Sequence, residues 1–128
     1  MFPDPSDRTN LLLSYADQFR EVPADVAVRP FDKTHQVPQC ESDAYVWAMK
    51  MPDGTLRLHF AVENPSGVSA RALAAILERS LSGLPAADIA TVDNSIVERI
   101  FRQNISMGKG MGLMSMVDAV RALARRAL

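Results

Sequence analysis

Hydrophobic positions along this chain change period twice, and the changes predict its elements. Between Thr9 and Arg20, Leu12, Tyr15, Ala16 and Phe19 recur at helical spacing, preceded by Asp7, Thr9 and Asn10 as candidate caps and stopped by Pro23. The next stretch, through Val26, Val28, Pro30 and Phe31, holds no sustained period. It is expected to carry at most a short helical turn and then to run extended, because a residue before proline avoids the helical region. From Asp43 to Met51 the period becomes two, with Tyr45, Trp47, Met49 and Met51 on one face and Ala44, Val46, Ala48 and Lys50 on the other. Pro52-Asp53-Gly54 signals a turn, and Thr55 to Glu63 alternates again with Leu56, Leu58, Phe60 and Val62 inward. An antiparallel hairpin is predicted, with His59 on its solvated side beside Thr55, Arg57 and Glu63.

Helical spacing then returns. Ser66 or Ser69 is expected to cap a helix that aligns Ala72, Leu73, Ile76, Leu77 and Leu81 and is closed by Gly83. Pro85 opens a short turn through Ile89, and Asp93 caps a helix carrying Ile96, Val97, Ile100 and Phe101. After the glycine-rich stretch Gly108-Lys-Gly-Met-Gly112, a final helix aligns Leu113, Met116, Val117, Val120, Leu123 and Ala124. It ends in Arg121, Arg125 and Arg126, where cations favour the helix dipole. Helix, hairpin, then helices is an α+β order, read as one domain over residues 1–128 without internal repeats.

Composition narrows the function classes. With 128 residues, 48% of them hydrophobic, the chain can bury a core without metal or disulfide support. A net charge of −1 and a pI near 6.1 argue against a nucleic-acid partner, which asks for a basic face. No apolar run is long enough to span a bilayer, and Met1-Phe-Pro-Asp-Pro-Ser-Asp7 lacks the regions of a signal peptide, so a cytoplasmic location without a membrane partner is expected. That compartment also keeps thiols reduced.

Cys40 is the single cysteine. It cannot close an internal disulfide, and with two separated histidines it cannot assemble a metal or iron–sulfur site, so no cofactor and no metal are expected. Pro38, Gln36, Gln39, Glu41 and Ser42 around it describe a loop, where chemistry is commonly presented. Three readings of Cys40 stand open on the residues alone. It is a thiol that exchanges with another molecule, an inert small hydrophobe in a protein-binding module, or the nucleophile of a papain-like hydrolase that recruits His35 or His59. Gly108-Lys-Gly-Met-Gly112 lacks the spacing of a phosphate loop and reads as a glycine-rich helix start with one basic residue. Met107, Met111, Met114 and Met116 read first as flexible core filler, and second as an adaptable binding surface from which Lys109 reaches a partner.

Val37-Pro-Gln-Cys-Glu-Ser-Asp-Ala-Tyr-Val46 resembles the cysteine motif of the SufE family, Val-x-Gly-Cys-x-Ser-x-Val followed by Trp or Tyr. Cys40 falls on the family cysteine, with Ser42 and Tyr45 in register. The Asp53-Gly54 turn, Arg71-Ala-Leu73, Gly83-Leu-Pro-Ala-Ala-Asp-Ile89 and Gly112-Leu-Met-Ser-Met116 follow in the family's order, so the resemblance covers the whole chain. It implies a small antiparallel sheet covered by helices, similar to the IscU-like scaffold fold. It also implies a sulfur acceptor in iron–sulfur cluster assembly, and an activator of a SufS-like cysteine desulfurase rather than a stand-alone enzyme. The Cys40 thiolate attacks the outer sulfur of the desulfurase persulfide and later passes that sulfur to a downstream scaffold. Three residues depart from the family pattern. Gln39 stands at a usual glycine, Ala44 replaces valine, and Lys109 stands where the family places arginine, keeping the charge of a partner contact without its bidentate geometry. Glu41 and Asp43 put negative charge beside Cys40, so activation is expected on docking, with the thiol partly shielded in the free protein.

Overall fold

The structure, a computed structural model, describes residues 5–102 and 107–128. Its elements are α1 (Pro5–Asp17), a 3₁₀ turn (Lys33–His35), β1 (Ala44–Lys50), β2 (Leu56–Val62), α2 (Val68–Leu81), α3 (Ala86–Ile89), α4 (Ile96–Phe101) and α5 (Met107–Arg126). The two strands pair antiparallel with Val46 opposite Phe60 and Trp47 opposite His59. The turn between them uses Gly54 at φ +85°, a conformation glycine adopts without steric cost. Asp53 accepts hydrogen bonds from the Thr55 hydroxyl and amide, at 2.6 and 3.0 Å, which hold its carboxyl below the ordinary value. That contribution is present above the unfolded carboxylate pKa and fades as pH falls through the lowered one.

One face of the hairpin makes the main core. Ala44, Val46, Leu56, Leu58, Phe60 and Val62 pack with Ala70, Leu73, Ala74 and Leu77 of α2 and with Leu113, Met116, Val117, Val120 and Ala124 of α5. The buried positions of α5 recur at three and four residues, as a helix lying on a sheet requires. α1 packs on α2, which is thereby held between α1 and β2. Alanines are buried along α2 at Ala70, Ala72, Ala74 and Ala75, so neighbours can approach it on more than one side.

The other face of the hairpin is covered as well. Tyr45, Trp47 and Ala61 form a second buried cluster with Val22 and Phe31, and Phe31 sets its ring 5.2 Å from Tyr45 and 5.1 Å from Trp47. The Val22 amide donates to the Phe60 carbonyl at 2.8 Å, which ties this cover to the edge of β2. The aperiodic stretch after Pro23 is therefore a lid of aromatic and aliphatic side chains over a sheet of two strands. His59, expected on a solvated face, is half-buried there beside the fully buried Ala61.

Several boundaries differ from the sequence expectation. α1 starts at Pro5, ahead of Asp7, Thr9 and Asn10, and ends before Phe19. Neither Ser66 nor Ser69 caps α2; Gly67 is its N-cap, and Ser66 is bound instead to Asn64 Oδ1 through its amide and hydroxyl. The N-cap of α4 is Ser95, whose amide is held by Asp93 Oδ1 at 3.1 Å, so Asp93 acts two residues ahead of the helix cap. The glycine-rich stretch lies inside the first turns of α5 and does not precede the helix.

Gly83 sits at φ +94° with nothing within 4 Å of where a Cβ would stand, so only backbone strain opposes a side chain there. Gly83→Ala is expected to cost about 1–2 kcal/mol, the usual penalty of left-handed backbone for an L-residue. Urea denaturation checks this as a lower midpoint at unchanged slope.

Candidate functional site: a thiol between two glycines

Cys40 lies in a loop whose ends are joined. The Val37 amide donates to the Ala44 carbonyl at 2.8 Å, and Gln36 bridges Tyr45, so residues 38–43 project as a short excursion ahead of β1. Val37 anchors one end in the main core at 1% exposure. Inside the loop the Asp43 amide donates to the Cys40 carbonyl at 3.2 Å. Gln39 and Asp43 both take positive φ, +60° and +50°, on either side of the cysteine. Gln39, at the family's glycine position, therefore keeps the left-handed conformation that glycine favours and bears its steric cost of roughly 1 kcal/mol.

Two helices grip this loop where they carry no side chain. A Cβ on Gly112 of α5 would stand 3.2 Å from the Gln39 carbonyl oxygen and 3.4 Å from the Cys40 Cα. A Cβ on Gly67, at the N-cap of α2, would stand 3.0 Å from the Ser42 side chain and 2.9 Å from Val62. Polar bonds complete the attachment: the Ser115 hydroxyl donates to the Pro38 carbonyl at 2.6 Å, and the Asn64 amide donates to the Ser42 carbonyl at 3.1 Å. Gly112 within an otherwise helical pattern was the available sign of such an approach, since an interior helical glycine costs about 1 kcal/mol against alanine. Gly67, Asn64 and Ser115 carried no comparable signal.

The gripped thiol is half-buried and packs against the main core. Beside it opens a cavity of about 130 Å³, lined among others by Ser42, Asn64, Ser66, Val68 and Lys109. The structure thus brings Cys40 and Lys109 to one cavity, with the first turn of α2 as a wall. Helix N-termini gather amide donors without intrahelical acceptors and carry positive potential.

Neither histidine lines that cavity. His35 places Nδ1 3.1 Å from the Val46 carbonyl and stacks on Trp47 with ring centroids 5.3 Å apart, and His59 lies across the hairpin from the same tryptophan. The methionines divide: Met116 is fully buried, Met114 packs on the core, Met111 is 57% exposed, and the side chain of Met107 lies outside the described residues. Among the described residues no group of three or more His, Cys, Asp or Glu is placed to hold a metal ion, and no helix is long and apolar enough to cross a membrane.

Fold and site together define a small α+β protein that presents one thiol on a loop held between two helices. The chain belongs to the SufE family: the model of that family, described as an Fe-S metabolism associated domain, matches residues 1–124. Association with iron–sulfur metabolism follows from that membership. The solution structure of a hypothetical protein from Thermus thermophilus is similar in fold, with a TM-score of 0.72 at 23% identity over 98% of this chain and 87% of that one. No curated protein matches the chain.

Ser115→Ala is expected to remove the bond to the Pro38 carbonyl, worth about 1 kcal/mol. The population of the opened loop, and with it the alkylation rate of Cys40 by iodoacetamide, then rises about fivefold. Gln39→Gly relieves the left-handed strain and is expected to raise stability by about 0.5–1 kcal/mol in chemical denaturation.

Proposed function

We propose that this protein accepts sulfur on Cys40 from the persulfide of a cysteine desulfurase and passes it on for iron–sulfur cluster assembly. It does so as one domain over residues 1–128 working in the cytosol, where a lone thiol stays reduced. The observation that carries the reading is the placement of the single cysteine, half-buried, against a cavity it shares with Lys109 and the first turn of α2. A cavity near 130 Å³ is well below the roughly 300–1,000 Å³ of ordinary small-molecule sites, which suits an added sulfur atom better than an organic substrate.

The chemistry is thiol exchange. The Cys40 thiolate attacks the outer sulfur of the donor persulfide; a bond forms between Sγ and that sulfur as the donor's own S–S bond breaks, and the donor cysteine leaves as a thiolate. The sulfane sulfur moves with its proton, and no electron is gained or lost overall. The positive end of α2 and the Lys109 ammonium favour the anionic form of the new persulfide. In this reading Lys109 also contacts the partner, and Val68 and Met111, which are 36% and 57% exposed, offer apolar surface to a docking desulfurase. Hydrolysis by a Cys40 nucleophile lacks support here, because neither His35 nor His59 lines its cavity.

Incubation with a cysteine desulfurase and free cysteine is expected to add roughly +32 Da, removable by reductant and absent in Cys40→Ser. Intact-mass spectrometry reads it. A free thiol by titration with no mass gain would replace this proposal with a binding module in which Cys40 is inert. Lys109→Glu is expected to weaken stimulation of the desulfurase about fivefold at limiting protein and to leave the mass gain intact at saturation.

A further inference from the structure

The end of α2 remote from Cys40 borders a second concavity, a groove of about 580 Å³. Arg20 reaches it from the segment after α1, Arg57 from the start of β2, where it is exposed, and Arg79 from the last turn of α2. The helix dipole accounts for a cation at Arg79. It accounts for neither of the others. Among the described residues the ion pairs are Arg29 with Glu21 and Glu63, and Arg121 with Asp118, so no carboxylate pairs with these three guanidiniums. Asp17 and Glu78 line the same groove, and Arg79 is held by the side-chain carbonyl of Gln18 instead. Half-buried Phe19 and buried Ala75 supply an apolar floor.

Arg20, Arg57 and Arg79 bring three exposed guanidiniums from separate parts of the chain to one groove, where an anion is favoured. Guanidinium is the group best matched to phosphate and carboxylate, because its planar fork donates two parallel hydrogen bonds. The volume falls within the usual range of small-molecule sites. The two carboxylates leave a local surplus of one positive charge, three Arg against Asp17 and Glu78, which disfavours an extended polyanion and suits a compact one.

We propose that this groove binds a small organic anion, its phosphate or carboxylate group taken by Arg20, Arg57 and Arg79 and its apolar body laid on Phe19. The site is independent of sulfur transfer at Cys40. Val68 and Arg79, at the two ends of α2, are about 16 Å apart along the helix axis.

Phenyl phosphate and benzoate share an apolar ring and differ in the anionic group, so both are titrated into the wild-type chain at about 0.15 M salt and followed by amide NMR shifts and calorimetry. Saturable binding of at least one is expected, with shifts concentrated at Phe19, Arg57, Arg79 and Ser82. Tighter phenyl phosphate assigns the site to phosphates, and tighter benzoate to carboxylates. Arg57→Gln and Arg20→Gln, both on exposed residues, are each expected to weaken binding about fivefold or more while the alkylation rate of Cys40 stays at the wild-type value. The proposal is overturned if neither probe saturates by about 10 mM, if both variants bind as the wild type does, or if the shifts gather instead at Arg125 and Arg126.

Discussion

Everything around Cys40 depends on backbone meeting backbone at Gly112. The loop carrying the thiol lies so close to α5 that a methyl group on the helix would press on the Gln39 carbonyl. That proximity lets Ser115, one turn further along, reach the Pro38 carbonyl, and it leaves the thiol against the core instead of in open solvent. Gly67 repeats the arrangement from the α2 side against Ser42. Held at both flanks and closed at its base by Val37 and Ala44, the loop sustains two left-handed residues that would not persist in a free segment. The strain at Gln39 and Asp43 is a consequence of being gripped, and it aims the intervening cysteine.

For the sulfur-acceptor role proposed above, this arrangement would separate two demands. A persulfide must be reachable by thiolates of two partners, yet it is readily oxidised or reduced by small molecules. A rigid body with the thiol half inside meets the second demand; the first then falls on whatever loosens a few polar attachments of one loop. Family membership places the chain in iron–sulfur metabolism. The geometry supports the sulfur-acceptor reading of Cys40 within it.

Much of the fold is legible in the sequence because the hairpin has a strong turn and a clean period. Asp53-Gly54 marks the reversal, and Leu56, Leu58, Phe60 and Val62 fall on the core side in the expected order. The second face is not legible. Alternation separates two sides of a strand and does not say that both are covered, so the aperiodic segment from Val22 to Phe31 gives no sign of being a lid, and the pattern puts His59 on a solvated side. The glycines of α5 suggest a break before the helix because glycine lowers helix propensity. In the fold, one of them serves the approach to Cys40. Ser66 looks like a cap by type, but Asn64 competes for its amide and hydroxyl two residues upstream, leaving Gly67 to begin α2. Cys40 itself is legible as the single thiol on a polar loop. That Lys109, some seventy positions later, faces the same cavity requires the chain to fold.

The chain has one tryptophan, and its place gives the molecule a spectroscopic property. Trp47 is buried with its indole stacked against the imidazole of His35, and His35 ends the 3₁₀ turn that leads straight into the cysteine loop. Imidazole, particularly when protonated, quenches indole emission at stacking distance. The intrinsic fluorescence of the protein therefore reports on the segment just upstream of the thiol. A displacement of that segment large enough to unstack the pair brightens the single tryptophan without any label being introduced.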